Sequence, residues 1–148
     1  MNIKELQIWL NKKGAGLKED GIPGPRTEKA ILDIFTNKNA VAITEDQLLS
    51  LARELGDKDT KRIKAVAKVE SGGSGWFDTG RPKILYERHY FYRLTKKVVK
   101  WLSFGYISDP TAGGYTNDVN KDGINDSWNK LVQAAMITPD AASQSVRV

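Results

Sequence analysis

The sequence predicts a mainly α-helical protein in which a small helical module precedes a larger helical domain. Apolar residues recur at helical spacing in most segments between the glycine-rich and proline-rich turns. Signals for helix starts and helix ends flank these segments. A short polar-to-small stretch, residues 37–43, separates two groups of helices. We therefore expect a three-helix module in residues 1–42 and a second domain in residues 43–148.

Length and composition describe a globular protein that forms one ordinary domain or two small ones. The chain has 148 residues, of which 40% are hydrophobic and 28% charged, and this balance excludes a disordered chain. No apolar run is long enough to span a bilayer, and the N-terminus lacks the apolar region of a secretory signal. We expect a protein that stays in a cytoplasm unless another component releases it. With no cysteine, disulfides and thiolate metal sites are excluded.

The chain is basic, which favours an anionic partner. Its formal net charge is +5 and its pI is about 9.4. Nucleic acid and the bacterial envelope are both anionic, and charge does not choose between them. No nucleic-acid-binding motif accompanies the charge, so nucleic acid is the minor alternative.

The N-terminal module is predicted from two helix patterns and the turn between them. Asn2 and Glu5 have capping-box spacing before the first helix. In the turn, Gly21 and Gly24 can adopt positive φ, and Pro25 suits the first position of the second helix. The buried faces are predicted from Ile3, Leu6 and Leu10, and then from Thr27, Ala30, Ile31, Ile34 and Phe35. A third short helix would close this core.

Two further helices lead to Glu70. Thr44 and Gln47 have capping-box spacing before the first, and Asp57 or Asp59 can cap the second. Glu70 continues a stripe that we expect to be buried, formed by Ile63, Val66 and Ala67. Burial and the negative end of the helix dipole both disfavour a charged carboxylate, as a general acid requires. A solvated glutamate at a helix end is the alternative interpretation.

A segment rich in glycine and aromatic residues follows Glu70. Flat aromatic faces beside glycines suit a groove that stacks sugar rings, although aromatic side chains also fill cores. Lys83–Tyr86 is predicted to be a buried strand or the start of a helix. Glu87 precedes Arg88 and His89, so an ion pair and a catalytic role are both open. His89, the only histidine, is expected to be a hydrogen-bonded structural group.

The segment AVAKVESGGSGWFDTGRPKILYERHYFYRLT resembles the N-acetylmuramidase domain of modular bacteriophage endolysins. The family motif joins a VES or VEG turn to the run GRP-x-I-L-(F/Y)-E-R-H, here Gly80–His89. The resemblance implies a lysozyme-like α (α+β) domain with no cofactor, in which Glu70 is the catalytic glutamate and Glu87 a second acid. The expected substrate-binding residues are Ser71, Trp76, Phe77, Asp78, Arg81, Tyr86 and His89.

Residues 6–31 resemble the peptidoglycan-binding type 1 domain of cell-wall hydrolases. The resemblance rests on the DG-x-x-G-x-x-T pattern from Asp20 to Thr27 and on the apolar positions around it. It implies peptidoglycan binding by residues 1–42, with Asp20, Arg26 and Trp9 as candidate contacts. The needs of a turn and a core explain the same residues equally well. A wall-binding module in front of a muramidase favours the binding interpretation.

Two later segments suggest further ligands. Residues 93–102 predict an amphipathic helix with basic side chains opposite Trp101, which suits a solvated face or an approach to anionic envelope lipids. Asp118, Asn120, Asp122 and Asp126 have the spacing of a calcium loop, but Asn129 replaces its bidentate glutamate. Turn chemistry is therefore favoured over calcium there, and no metal is expected.

The combined resemblance predicts an endolysin that cleaves the β-1,4 bond between N-acetylmuramic acid and N-acetylglucosamine. Glu70 would be the general acid, with Glu87 or Asp78 as the second carboxylate. The muramidase family continues beyond the segment like AASQS, so we expect a catalytic domain truncated at its C-terminus. The alternatives are a non-catalytic peptidoglycan-binding remnant and a lytic transglycosylase. The resemblance also implies a monomer held in the host cytoplasm until a holin releases it to the wall.

Overall fold

The computed structural model describes residues 1–147 apart from 38, 40, 73 and 96–104. The described residues form α1 (Ile3–Lys12), α2 (Pro25–Ile34), α3 (Glu45–Glu54), α4 (Lys61–Ser71), β1 (Leu85–Tyr86), α5 (Arg88–Thr95), α6 (Asp126–Ala135), α7 (Pro139–Gln144) and β2 (Val146–Arg147). The predicted mainly α fold class is confirmed. None of the described helices is long and apolar enough to cross a membrane.

Side-chain caps start α1 and α3, as their sequences predict. The Asn2 Oδ1 atom accepts from the backbone N–H of Glu5 at 3.0 Å, and Glu5 accepts in return from Asn2. Thr44 and Gln47 make the same reciprocal pair before α3. These bonds satisfy N–H groups that have no partner within a helix. Pro25 occupies the first turn of α2, also as predicted.

The chain divides into two compact units. Unit 1 contains residues 1–35 and 84–148, and unit 2 contains residues 36–83. The domain assignment 1–42 and 43–148 stays a prediction. In unit 1 the N-terminal helices share one apolar core with the later elements, formed by Leu6, Leu10, Ala30, Ile31, Tyr86, Phe91, Ile107, Val132, Ala134, Ala135, Ala141 and Ala142.

The turn between α1 and α2 is organised by the buried side chain of Gln7. Its amide nitrogen donates to the Asp20 carboxylate at 3.2 Å, and its amide oxygen accepts from the N–H of Gly21 at 2.8 Å. Gly21 has φ of +74°, as predicted, and a side chain there would be strained. The same prediction for Gly24 is wrong, because this residue is extended and caps α2.

Aromatic rings connect the α1–α2 pair with α6. Phe35 is predicted to face the buried side of α2, but it is 42% exposed. Its ring lies 5.5 Å from that of Trp128 and 6.4 Å from that of Trp9. Phe35 therefore packs against two neighbouring rings while part of its own ring stays in solvent.

Strands β1 and β2 bring the C-terminal residues of unit 1 next to the start of α5. They pair antiparallel, with Leu85 opposite Arg147 and Tyr86 opposite Val146. The apolar run before Glu87 is thus a short strand, one of the two predicted forms. This pairing is non-local and its partner cannot be read from either segment alone.

Unit 2 contains a lightly packed pair of helices. Glu45 at the start of α3 accepts from Thr60 and lies 2.7 Å from the Lys64 ammonium group, which connects α3 with α4. Ala52 is fully buried, whereas Leu55 is 60% exposed and Val66 is 56% exposed. The prediction that Val66 belongs to a buried stripe is wrong.

Candidate active site

Glu70 lies in the last turn of α4, as predicted, but its side chain is exposed. The helix ends at Gly72, whose φ of +64° is the left-handed conformation expected of a C-terminal glycine. Because Val66 does not pack against other residues as expected, the stripe that would have buried Glu70 does not form. The prediction of a desolvated Glu70 is therefore wrong, while its place at the negative end of a helix remains.

A short hairpin-like turn follows α4. Trp76 pairs with Pro82 across it, and the N–H of Phe77 donates to the carbonyl of Arg81 at 2.9 Å. Trp76, Phe77 and Arg81 are half-buried, whereas Asp78 is exposed at the tip. Four of the predicted substrate-binding residues are thus held on one turn of unit 2. The side chain of Ser71 lies outside the described part of the chain.

Glu87 is a buried carboxylate at the start of α5, with an exposed fraction of 6%. Its Oε2 atom accepts a hydrogen bond of 2.7 Å from the hydroxyl of Tyr115 and lies 3.2 Å from Nδ1 of His89. Its Oε1 atom lies 3.9 Å from Nε of Arg147. The backbone N–H of Glu87 donates to the carbonyl of Ser145 at 2.8 Å, which fixes the residue beside β2.

Tyr115 is a member of this cluster that the sequence analysis missed. The hydrogen bond to Glu87 is the main cause that raises the pKa of the Tyr115 phenol above its usual range. A tyrosine 28 positions from the glutamate carries no local pattern that links the two residues. The glycine pair directly before it, Gly113–Gly114, is the one local signal of a special loop.

Two cationic side chains, the buried Lys130 and the half-buried Arg88, lie against the loop that carries Tyr115. The ammonium group of Lys130, only 4% exposed, donates to the carbonyl of Gly114 at 2.6 Å. Gly114 has φ of +72°, so a side chain at this position would be strained, and its Cα side faces the guanidinium of Arg88. Burial lowers the pKa of Lys130, although the nearby Asp126 carboxylate opposes the shift. The buried contacts therefore hold the loop in place.

Tyr90 lies next to Glu87 and contacts three nitrogen-bearing side chains. The guanidinium carbons of Arg93 and Arg147 are each 5.4 Å from the centre of its ring. The rings of His89 and Tyr90 are 4.7 Å apart. Arg147 also donates from Nη2 to the Tyr90 hydroxyl at 3.1 Å. This group places the Arg147 guanidinium beside the Glu87 carboxylate and the Arg93 guanidinium on the same ring.

Tyr86, predicted to bind substrate, is a core side chain instead. It is 2% exposed, and its hydroxyl donates to the carbonyl of Ile107 at 3.0 Å. Burial strongly raises the pKa of its phenol. The neighbouring Arg88 is directed away from Glu87, because its guanidinium contacts Gly105 and lies 3.5 Å from Asp109. Of the two bases next to Glu87 in sequence, His89 is therefore its partner.

The loop from Asp118 to Asn129 is held by its own acidic side chains. Asp118 accepts from the N–H groups of Asp122 and Gly123 at 3.0 Å each. Asp122 accepts from the amides of Asn120 and Asn129 at 2.9 and 3.0 Å, and the fully buried Asp126 accepts from Val119. Within the described ranges no three His, Cys, Asp or Glu side chains are grouped as metal ligands. The contacts satisfy these side chains within the turn, and the calcium candidate stays a prediction.

The candidate contacts of the N-terminal module lie in different settings. Asp20 accepts from the N–H of Ile22 at 3.0 Å, and this bond is the main cause that lowers the pKa of its carboxyl. Arg26 is exposed beside a groove of about 300 Å³ next to this turn. Trp9 is 36% exposed, with the ammonium group of Lys13 at 5.9 Å from its ring. All three candidates reach the surface, and Asp20 also serves the turn.

The basic helix predicted for residues 93–102 falls mostly on residues that the structure does not describe. Helix α5 ends at Thr95, and residues 96–104 lie outside the described ranges. The proposed lipid-facing side with Trp101 therefore stays a prediction.

Comparison with known proteins places these residues in a family. The N-acetylmuramidase family model matches residues 59–148, a range that contains Glu70, Glu87, Tyr115 and Arg147. The chain is also similar to the crystal structure of the Burkholderia AP3 phage endolysin, at 26% identity and a TM-score of 0.53. This match covers 97% of the chain and 62% of the endolysin, so the chain spans under two thirds of the length of that relative. No curated protein matches the chain. Because the family match extends over more than half of the sequence, the chain belongs to the N-acetylmuramidase family.

Proposed function

We propose that the chain is an endolysin that hydrolyses the β-1,4 bond between N-acetylmuramic acid and N-acetylglucosamine in bacterial peptidoglycan. The match to the N-acetylmuramidase family and the likeness to a phage endolysin support this reaction class. The single structural observation that carries the proposal is the buried Glu87 carboxylate, whose oxygens lie next to Tyr115, His89 and Arg147. Carboxylates that are held in this way are typical of glycosidase sites.

The roles of the carboxylates follow from their surroundings. We assign the general acid to Glu70, the position of the family's catalytic glutamate, which lies in the last turn of α4 with its side chain open to solvent. Glu87 receives a hydrogen bond from Tyr115 and lies 3.9 Å from the Arg147 guanidinium, and these contacts hold its carboxylate in a fixed position. A fixed negative charge stabilises the oxocarbenium-like transition state of glycoside cleavage. Asp78 is the other candidate for this second role.

We further propose that α1, α2 and the turn between them attach the enzyme to the wall. The exposed Arg26 beside the groove of about 300 Å³ and the partly exposed Trp9 support this role, because a cation and a flat ring suit an anionic glycan. We also propose a monomer that stays in the host cytoplasm until a holin releases it to the wall, for which the support is the sequence resemblance to phage endolysins.

The reaction is tested on purified peptidoglycan free of outer membrane. Turbidity loss and released reducing ends are measured for the wild-type chain and for Glu70→Gln, which keeps the shape of the side chain and removes its titrating proton. We expect a loss of activity of about 100-fold or more, the contribution typical of general acid catalysis. Glu54→Gln, at an exposed glutamate of α3, is the matched control and should retain activity.

The products separate this proposal from its alternatives. Hydrolysis creates a new reducing end at each cleaved bond, whereas a lytic transglycosylase releases an anhydro sugar without one. Wall binding without any cleavage by the wild-type chain would identify a non-catalytic binding protein. Full activity of Glu70→Gln would remove Glu70 from the acid role.

A further inference from the structure

The guanidinium groups of Arg93 and Arg147 converge on one aromatic ring beside Glu87. Arg93 comes from α5 and Arg147 from β2, and each guanidinium carbon lies 5.4 Å from the ring centre of Tyr90. Arg147 is held a second time by its 3.1 Å hydrogen bond to the Tyr90 hydroxyl. Arg147 is therefore positioned by the antiparallel β1–β2 pair, Arg93 by α5, and both by a shared ring, which reduces the entropy lost when they bind a ligand.

This group carries more positive than negative charge. Within the described ranges, Glu87 is the carboxylate at ion-pair distance from it, 3.9 Å from Arg147. That carboxylate already receives the Tyr115 hydrogen bond and lies next to His89. Arg147 is 63% exposed in its side chain, and Arg93 is exposed as well, so donor groups of both remain open to a ligand. A guanidinium that lies over a ring by its face keeps its N–H edge for planar anions.

The size and charge of the group formed by Arg93, Arg147 and Tyr90 favour a single carboxylate over a polyanion as its ligand. Two guanidinium charges beside one carboxylate leave an excess of one, and the negative charge of Glu87 would repel a second anionic group nearby. Peptidoglycan offers suitable carboxylates on its muramyl residue. N-acetylmuramic acid differs from N-acetylglucosamine by a lactyl ether, whose carboxylate is either free or joined to a peptide that carries carboxylates of its own.

We infer that Arg93 and Arg147, held on Tyr90 next to Glu87, form a subsite that binds a carboxylate of the muramyl residue and selects muramyl glycans over neutral chitin-type glycans. The inference rests on the proposed function, because it assigns substrate recognition to the surroundings of Glu87. It adds a selectivity that the bond cleavage itself does not require.

The test measures binding rather than turnover, in a chain carrying Glu70→Gln. Three probes are compared by calorimetric titration: chitobiose, the disaccharide N-acetylglucosaminyl-N-acetylmuramic acid, and the same disaccharide bearing the dipeptide alanyl-isoglutamine. We expect at least one anionic probe to bind about tenfold more tightly than chitobiose, the gain typical of one charge-assisted hydrogen bond. The tighter of the two identifies the free lactyl carboxylate or the peptide carboxylates as the ligand group.

Variants assign the preference to the two arginines. Arg93→Gln and Arg147→Gln should each bring the anionic probe close to the affinity of chitobiose, while chitobiose binding changes little. Arg53→Gln, at an exposed arginine of α3 in unit 2, removes the same charge and should preserve the tenfold preference. Circular dichroism spectra of all variants should match that of the parent chain, which checks that they remain folded.

Four results would overturn the inference. They are equal affinity for all three probes, no binding of any probe, a preference that survives both substitutions, and inorganic phosphate binding at this site as tightly as the anionic sugar. The last result would indicate an unselective anion site, such as one for nucleic acid or lipid phosphate. Absence of wall hydrolysis by the wild-type chain would count against the proposed function alone, because the binding preference is measured without turnover.

Discussion

The two glutamates assigned to the site belong to regions with opposite character. Glu87, in unit 1, is 6% exposed and lies next to a tyrosine, a histidine and an arginine from three separate segments. Glu70, in unit 2, is exposed at the end of a helix whose Val69 is 82% exposed. Unit 1 has a continuous apolar core around its carboxylate, and α3 and α4 of unit 2 leave large apolar side chains in solvent.

The difference shows that a local sequence motif can place a glutamate without giving it a buried, hydrogen-bonded environment. The VES turn places Glu70 at a helix end through local structure alone, because Gly72 stops α4. Glu87 acquires its environment from β2 and from the loop of Tyr115, neither of which is close in sequence. Rigid support for a functional group thus comes from non-local packing.

The largest expected effect is on the free energy of unfolding, when a core side chain of unit 1 and an apolar side chain of unit 2 are each replaced by alanine. Phe91 is fully buried in unit 1, so Phe91→Ala should lower the free energy of unfolding by about 3–5 kcal/mol through lost burial and a cavity. Val69→Ala in unit 2 should change it by no more than about 0.5 kcal/mol, because that side chain is in solvent. Urea denaturation followed by circular dichroism measures both, and similar losses in the two variants would contradict the comparison.

An intermediate effect on the free energy of unfolding is expected when glutamine replaces each of the two glutamates in turn. Glu87→Gln replaces a buried hydrogen-bonded carboxylate and should lower the free energy of unfolding by about 1–3 kcal/mol. Glu70→Gln should stay within about 0.5 kcal/mol, since its side chain is exposed. The measurement is again urea denaturation, at neutral pH. A loss at Glu70 as large as at Glu87 would mean that Glu70 is packed against other groups in solution.

The smallest effect is a pH dependence that arises in unit 1. Burial raises the pKa of Tyr86 above its usual value of 10.0, so above pH 10 the folded chain keeps a proton that the unfolded chain loses. The free energy of unfolding should therefore be unaffected by this group below pH 10 and fall above it, by about 1.4 kcal/mol per pH unit.

Tyr86→Phe isolates this contribution. Denaturation of the variant between pH 9 and pH 11 should show a shallower alkaline loss than the wild-type chain, while Tyr106 and Tyr115, whose pKa values are also raised, act equally in both. The variant loses the hydrogen bond to Ile107 at every pH, so the slope rather than the absolute stability is compared. Identical slopes would show that Tyr86 is not buried as described.

Local chemistry made much of the helical framework predictable. The reciprocal caps at Asn2 and Thr44, the proline at the start of α2 and the glycine stop after Ser71 all involve residues within a few positions of one another. Such contacts form in any chain that enters a helix there, whatever surrounds it. Apart from the backbone of Gly24, the wrong predictions about helices concern burial, at Phe35, Val66 and Glu70. Burial depends on which surface a helix meets, and periodicity identifies a face without identifying its partner.

The sequence by itself determined the family, the mainly α fold class and the two candidate glutamates, because the motif around them is local and continuous. The tertiary structure alone decided that Glu87 is the buried one of the two glutamates, that Tyr115 and Arg147 contact it, and that Tyr86 belongs to the core. The physical reason is that strand pairing and core burial join segments 60 or more positions apart, as Glu87 and Arg147 are. No spacing rule within a single segment contains that information.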